Sequence, residues 1–223
     1  MWDDRYGDAE LVFGEKPNVF LQDALKNIQI NRYEESQPLT CLFLGCGEGR
    51  NMSYVKSLGH RVFGVDQSIV GINKALNNFN NLDREEFECA DLLQWKSTMN
   101  FDLICSIWLH LPIGARQDIY ELVETSLKDN GWYMNISYRK EQLIYRTGGP
   151  PTKKMMPSLR ELQDKFSEYE IIIAHEEDKF IAEGKGHSGM SAVVEFLAKK
   201  ERLVSLFLNS NVLSGSSLKR SMI

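Results

Sequence analysis

The 223-residue chain predicts a doubly wound α/β fold: a mainly parallel, Rossmann-like, seven-stranded sheet finished by an antiparallel hairpin. Three observations carry this. Short apolar runs alternate with stretches of helical periodicity, which is the rhythm of βαβ units. Glycines crowd the junction between the first such run and the first helix that follows it. The last two apolar runs are joined by a loop with no room for a crossover helix, so they must pair antiparallel.

In chain order, residues 40–44 (Thr-Cys-Leu-Phe-Leu) form a continuous apolar run ending in glycines, as suits a strand covered on both faces. The helix predicted over 51–58 is closed by Gly59. Residues 60–65 make a second strand, and Ser68 N-caps a helix to about Phe79 with Ile69, Ile72 and Leu76 at helical spacing. A short third strand covers 87–90 and an apolar fourth covers 101–107. Pro112 opens a helix to about Leu127, with Ile119, Leu122, Val123 and Leu127 on one face, and Asp129-Asn130-Gly131 turns the chain into a fifth strand, 132–137. Residues 139–157, with Gly148-Gly149-Pro150-Pro151 and two lysines, then interrupt the pattern as either a surface loop or a lid over a site. A helix over 159–166 precedes the hairpin strands 169–174 and 191–198. One domain spans 1–200, its first 30 residues set apart as an N-terminal segment, and the tail 201–223, rich in serine and asparagine, is expected to be partly disordered.

Charge and composition narrow the partners. Lys and Arg number 26 against 31 Asp and Glu, a net charge of −5, so the overall field repels polyanions and no nucleic-acid partner is expected. No stretch approaches the roughly 20 apolar residues of a membrane span, and Met1-Trp2-Asp3-Asp4-Arg5 lacks the order of a secretory signal, so a cytoplasmic protein without a membrane partner is expected. Cys41, Cys46, Cys89 and Cys105 form no CxxC pair, and His60, His110, His175 and His187 lie far from them in sequence; reduced, packing thiols and no metal are the expectation.

The strongest local signal is Leu44-Gly45-Cys46-Gly47-Glu48-Gly49-Arg50-Asn51. Glycines there let the backbone turn sharply and approach a ligand, and the helix start behind them offers N–H groups. Asp66 ends the second strand 21 residues after Gly45, near the spacing at which an acid grips ribose hydroxyls. NAD and S-adenosylmethionine both use such an arrangement. The third glycine of the dinucleotide pattern would fall on Arg50, which disfavours NAD, and no P-loop is present. Asp91, after the third strand, is placed to read an adenine amine or simply to hold a turn.

Gly45-x-Gly47-x-Gly49, Asp66, Ala90-Asp91 and Phe101-Asp102-Leu103-Ile104 together resemble the motifs of class I S-adenosylmethionine (SAM)-dependent methyltransferases. The likeness is nearest to the TehB-like (tellurite resistance) and thiopurine-methyltransferase-like branch that acts on small molecules. Its pieces are Trp2-Asp3-x-Arg5-Tyr6, Phe13-Gly14-x-x-Pro17-Asn18, Gly47-Glu48-Gly49-Arg50-Asn51, Asp66-Gln67-Ser68, His110-Leu111-Pro112, Gln142-Leu143, Thr147-Gly148-Gly149 and Glu183-Gly184-x-x-His187-x-Gly189. Phe43 stands where class I enzymes often carry an acid before the loop.

The resemblance implies SAM as cofactor and a small-molecule substrate, in a monomer or homodimer. Gly45, Cys46 and Gly47 would approach the methionine moiety, with Arg50 and Asn51 behind them; Asp66, flanked by Gln67 and Ser68, would take the ribose, and Asp91 with Leu92 the adenine. Ile107, Trp108 and His110 would face the site from the end of the fourth strand, although Trp108 has an alternative place in the core and His110 one as a helix cap. The N-terminal segment with Trp2, Arg5, Tyr6 and Phe13 would fold over the cofactor as a lid, with a loosely packed terminal helix as the alternative. His187, with Glu183 and Tyr138, is the candidate for substrate contact or proton removal. An anionic substrate would draw on Arg50, Arg139, Arg146, Lys153 and Lys154.

Overall fold

The computed structural model describes residues 2–8, 10–32 and 37–201. The central element is one seven-stranded sheet, ordered β3-β2-β1-β4-β5-β7-β6. Its strands are β1 (Thr40–Leu44), β2 (Arg61–Asp66), β3 (Phe87–Cys89), β4 (Phe101–Ile107), β5 (Leu127–Tyr138), β6 (Tyr169–Glu183) and β7 (His187–Lys200). The first five pair in parallel, while β7 runs antiparallel to both β5 and β6. The sequence expectation of a parallel doubly wound sheet with a terminal hairpin therefore holds.

The all-buried β1 shows why an unbroken apolar run was required. Cys41 and Phe43 point into a core with the helices α2 (Val19–Ile30), α3 (Arg50–Ser57) and α4 (Ile69–Asn78), whereas Leu42 and Leu44 point into the opposite core with α5 (Ile113–Ser126) and α7 (Leu159–Lys165). Alternation along the strand thus feeds two layers at once. Between β1 and β4 the strand order reverses, and the crevice outside the carboxyl ends of such strands is where open α/β sheets bind ligands.

Four differences from the sequence reading have physical causes. The segment 1–30 holds a firmly packed helix, α2, in place of the lid or loosely packed terminal helix expected there: Asn18 caps it by accepting the Leu21 N–H at 3.1 Å, and Phe20, Leu21, Ala24, Leu25 and Ile28 bury one face in the core. Only the residues before it, including the single turn α1 (Trp2–Arg5), lie across the site as a strap. In α4 it is Gly71, Ile72 and Ala75 that are buried, and Ile69 at the rim is exposed. The turn at Asp129-Asn130-Gly131 is a loop-out within β5, with Asn130 at φ 60°, because pairing to β4 jumps from Leu127 to Trp132. The hairpin is far longer than 169–174 and 191–198, and its connection is only three residues, 184–186, so His187 opens β7 opposite Glu183 instead of lying in a loop. Residues 139–157 hold α6 (Gln142–Tyr145) and fold back on β7, where the buried Gln142 amide accepts the Ala192 N–H and donates to Thr147 and the Gly148 carbonyl. The tail from 202 onward lies outside the described residues.

Candidate active site

Three glycines shape the loop between β1 and α3, all in the left-handed region: φ is 70° at Gly45, 53° at Gly47 and 77° at Gly49. Two of these positions admit nothing larger. A Cβ on Gly49 would lie 2.6 Å from the Ala75 Cβ, and one on Gly47 would lie 2.7 Å from the Tyr6 hydroxyl. The loop's own donors are already spent: Gly45 and Cys46 donate to the Val65 carbonyl at 2.8 and 3.2 Å, Gly47 donates to Asp66 at 2.7 Å, and Gly49 donates to the Cys46 carbonyl at 3.1 Å. The loop is a steric cradle whose N–H groups at these four positions are not aimed at an anion, which sets it apart from a pyrophosphate site. Burial pushes the Cys46 thiol well above its usual range, so it stays protonated.

Asp66 ends β2 with its carboxylate buried. One oxygen accepts the Gly47 N–H and the other the Ser68 N–H at 2.9 Å, which leaves a lone pair on each oxygen for a vicinal diol. Burial raises its pKa, and the two N–H groups work against that shift. Ser68 caps α4 by accepting the Gly71 N–H and also donates to Asp3 of the strap. Gln67 is exposed beside it. Asp91 is exposed too, one of its oxygens accepting the Leu93 N–H at 3.0 Å, while Leu92 packs partly buried against the core. The cradle and the strand-end acid fit SAM: Gly45 and Gly47 would admit the methionine end, Asp66 would take the ribose, and Asp91 and Leu92 would border the adenine.

The strap closes this crevice. Tyr6 is buried against Gly47 and Gly71. Glu48, inside the glycine loop and itself buried, accepts the Val12 N–H at 2.9 Å and the Phe13 N–H at 3.3 Å and pairs with Lys74 at 2.7 Å. On its other side the strap meets the hairpin turn, where Gly186 donates to the Val12 carbonyl at 3.0 Å. Asn18 and Glu48 stood in the motifs of the resemblance without a role assigned to them, and Lys74 was not singled out at all.

Aromatic rings continue from the strap to the reaction side. Trp2 stacks on Tyr6 at 5.7 Å, Tyr6 meets Phe13 edge-on at 6.3 Å, and Phe13 lies 4.8 Å from His187. His187 in turn sits 4.8 Å from Trp108 and 5.3 Å from Tyr138, which stacks on His110 at 5.4 Å. Trp108 holds a left-handed backbone, φ 57°, just past β4, an uncommon conformation for a bulky residue and one that concentrates at functional sites. Ile107, the last residue of β4, is partly buried behind it. His110 caps nothing; its Nε2 accepts the Tyr138 N–H at 2.9 Å, and burial pushes its pKa down to about 4. Burial also drives His187 well below the usual histidine range, with the charges of His110, Arg50 and Arg5 adding to it. Among the described residues, two buried polar atoms here meet no partner in hydrogen-bond geometry, the Tyr138 hydroxyl and His187 Nδ1. Both side chains flank Gly148, where a Cβ would lie 3.3 Å from the hydroxyl and 3.4 Å from the imidazole.

Glu183 belongs to a different arrangement. One oxygen accepts from the Asn18 amide at 2.7 Å; the other accepts from the Trp108 indole at 2.7 Å and pairs with Arg50, whose guanidinium also donates to the Lys16 carbonyl at 2.6 Å. Asn51 accepts the Asn18 N–H at 2.8 Å. Arg50 and Asn51 therefore face the strap. Of the other expected cations, Arg139 is engaged by Asp178 and Glu141, whereas Arg146, Lys153 and Lys154 are exposed.

Residues 42–131 match the methyltransferase domain family. No curated protein matches the sequence. Among solved structures, TehB from Haemophilus influenzae is similar at a TM-score of 0.64 and 18% identity, covering 90% of this chain and 66% of its own. The N-methyltransferase NodS from Bradyrhizobium japonicum WM9, bound to S-adenosyl-L-homocysteine (SAH), is similar at 0.62 and 13%, covering 83% and 89%. A protein from work on conversion of a disulfide bond into a thioacetal group during echinomycin biosynthesis is similar at 0.66 and 17%, covering 92% of each chain. The domain match spans about two fifths of the chain, and the sheet order together with these likenesses shows the Rossmann-like fold that solved SAM-dependent methyltransferases share. Among the described residues, no helix is long and apolar enough to cross a membrane.

Proposed function

We propose that the chain methylates a small-molecule nucleophile, a thiol, an amine or a chalcogen oxyanion, as a TehB-like cytoplasmic enzyme, monomeric or homodimeric, that uses no nucleic acid or membrane partner. The single observation carrying this reading is the pair of unpartnered polar atoms, His187 Nδ1 and the Tyr138 hydroxyl, buried among aromatic rings at the carboxyl edge of the sheet. Buried polar groups without partners are rare and call for a ligand or a catalytic role. The net charge of −5 supports a small acceptor over a nucleic acid.

When bound, the cofactor supplies a methyl group on a sulfonium centre whose leaving group is neutral. The protein's own work is then alignment and exclusion of water. Asp66 holds the ribose diol, Gly45 and Gly47 admit the methionine end, and Trp108, Phe13 and Tyr138 wall the acceptor away from solvent. His187 stays neutral at physiological pH, so Nδ1 can take the proton of an acceptor that arrives protonated, while the Tyr138 hydroxyl orients it.

Calorimetric titration with SAM and SAH should give micromolar affinity, and incubation with methyl-labelled SAM and a metabolite extract should label a small product. Absence of SAH binding overturns the reading. Binding without label transfer leaves a silent SAM-binding module instead.

A further inference from the structure

We propose that Glu183 is a positioning residue which makes the cofactor loop, the strap and the reaction wall close as one unit. This rests on the methyltransferase reading for its functional consequence only. The geometry is independent of it.

A single buried carboxylate at the end of β6 reaches three separate parts of the chain. It holds Asn18, where the strap passes into α2; Arg50, the first residue of α3 behind the glycine loop; and the indole of Trp108, which forms the floor between His187 and Tyr138. Asn18 and Glu183 are 165 positions apart in sequence. Both side chains of the ion pair are under a tenth exposed, so removing one partner leaves the other charge buried and uncompensated. Arg50 passes the constraint on by holding the Lys16 carbonyl, and Asn51 repeats it by holding the Asn18 N–H. Trp108 needs such a tether: its left-handed backbone would relax unless its surroundings fixed it, and its indole N–H donates to Glu183. With both oxygens committed to cationic and neutral donors, the carboxylate has no role as a proton acceptor for substrate. It acts through Trp108 and the strap.

The test compares Glu183→Ala and Glu183→Gln with a control, Glu161→Gln, which breaks the Arg116–Glu161 pair on the opposite face of the sheet. The readouts are cleavage after the exposed Glu15 by a glutamate-specific endoproteinase in the cofactor-free protein, SAH affinity by calorimetry, and Trp108 emission obtained by difference against Trp108→Phe. Glu183→Ala should speed cleavage after Glu15 at least 10-fold, weaken SAH about 10-fold and shift the Trp108 emission. Glu183→Gln, which keeps an acceptor oxygen, should restore part of each. The control should leave all three readouts unchanged even where its melting temperature falls as far. Unchanged cleavage and Trp108 emission in folded Glu183→Ala overturn the proposal, as does an equal effect from the control. If the wild type binds no SAH while Glu183→Ala still frees the strap, the methyltransferase reading fails and the positioning role stands. If SAH binds wild type and Glu183→Ala equally, the reverse holds.

Discussion

The proposed cofactor side and the proposed acceptor side of this site are built on opposite plans. The proposed cofactor side is local: Gly45, Gly47 and Gly49 come from the loop that follows β1 and Asp66 from the end of the neighbouring β2, and backbone does most of the work, as in the two N–H groups that fix the Asp66 carboxylate. The acceptor side is assembled from rings contributed by four distant segments, Phe13, Trp108, Tyr138 and His187. A site for an invariant ligand can be a fixed cradle. One for a particular acceptor is set by side chains on connecting segments, which vary without disturbing the sheet. Glu183 and Glu48 stitch the two together.

That contrast can be broken experimentally, beginning where the effect is largest. His187→Gln should lower label transfer from SAM about 10³-fold, the range for loss of a general base, while SAH affinity stays within 3-fold. A matching loss of SAH affinity would show that the two sides are not separable. Conversely, Asp66→Ala should weaken SAH binding about 100-fold, near 2.7 kcal/mol, without disturbing the emission of Trp108. Calorimetry and fluorescence on the same sample decide it.

The third prediction concerns pH. His110 titrates near 4 in the folded protein and near 6.5 when unfolded, so between these values the unfolded state binds more protons and stability falls as the pH drops. The loss attributable to His110 should be about 2 kcal/mol between pH 7 and pH 5, measured by urea unfolding. His110→Gln should remove that part of the slope, since Gln can still accept the Tyr138 N–H. Equal slopes in the two proteins would mean that His110 is not held neutral. Smallest of all, Asp91→Asn should weaken SAH only about 3-fold, roughly 0.7 kcal/mol, because the carboxylate is exposed and already engaged in its turn. A 100-fold loss would make the adenine side as demanding as the ribose side.

Legibility followed the same division. The parallel strands were readable because burial on both faces imposes unbroken apolar runs, as in Thr40–Leu44. Helix α2 was not, because its polar positions and the adjacent strap gave no strong boundary; Asn18 as its cap and as a partner of Glu183 becomes visible only with the hairpin in place. The extension of β6 and β7 through charged residues such as Glu176, Glu177, Asp178 and Lys179 was equally hidden, since an edge strand tolerates charge that a central strand would not.

By itself the sequence determined the α/β winding, the glycine loop and the strand-end acid at its spacing, because these rest on backbone conformation and on periodicity within some 30 residues. It also placed His187, Tyr138 and Trp108 among the candidates. Only the tertiary structure decided what they do together: that Trp108 is strained and tethered, that His187 Nδ1 and the Tyr138 hydroxyl lack partners, and that Glu183 is bound on every side. Hydrogen bonds such as Trp108 to Glu183 and Asn18 to Glu183, between residues 75 and 165 positions apart, depend on how sheet and strap pack, and no local spacing encodes that.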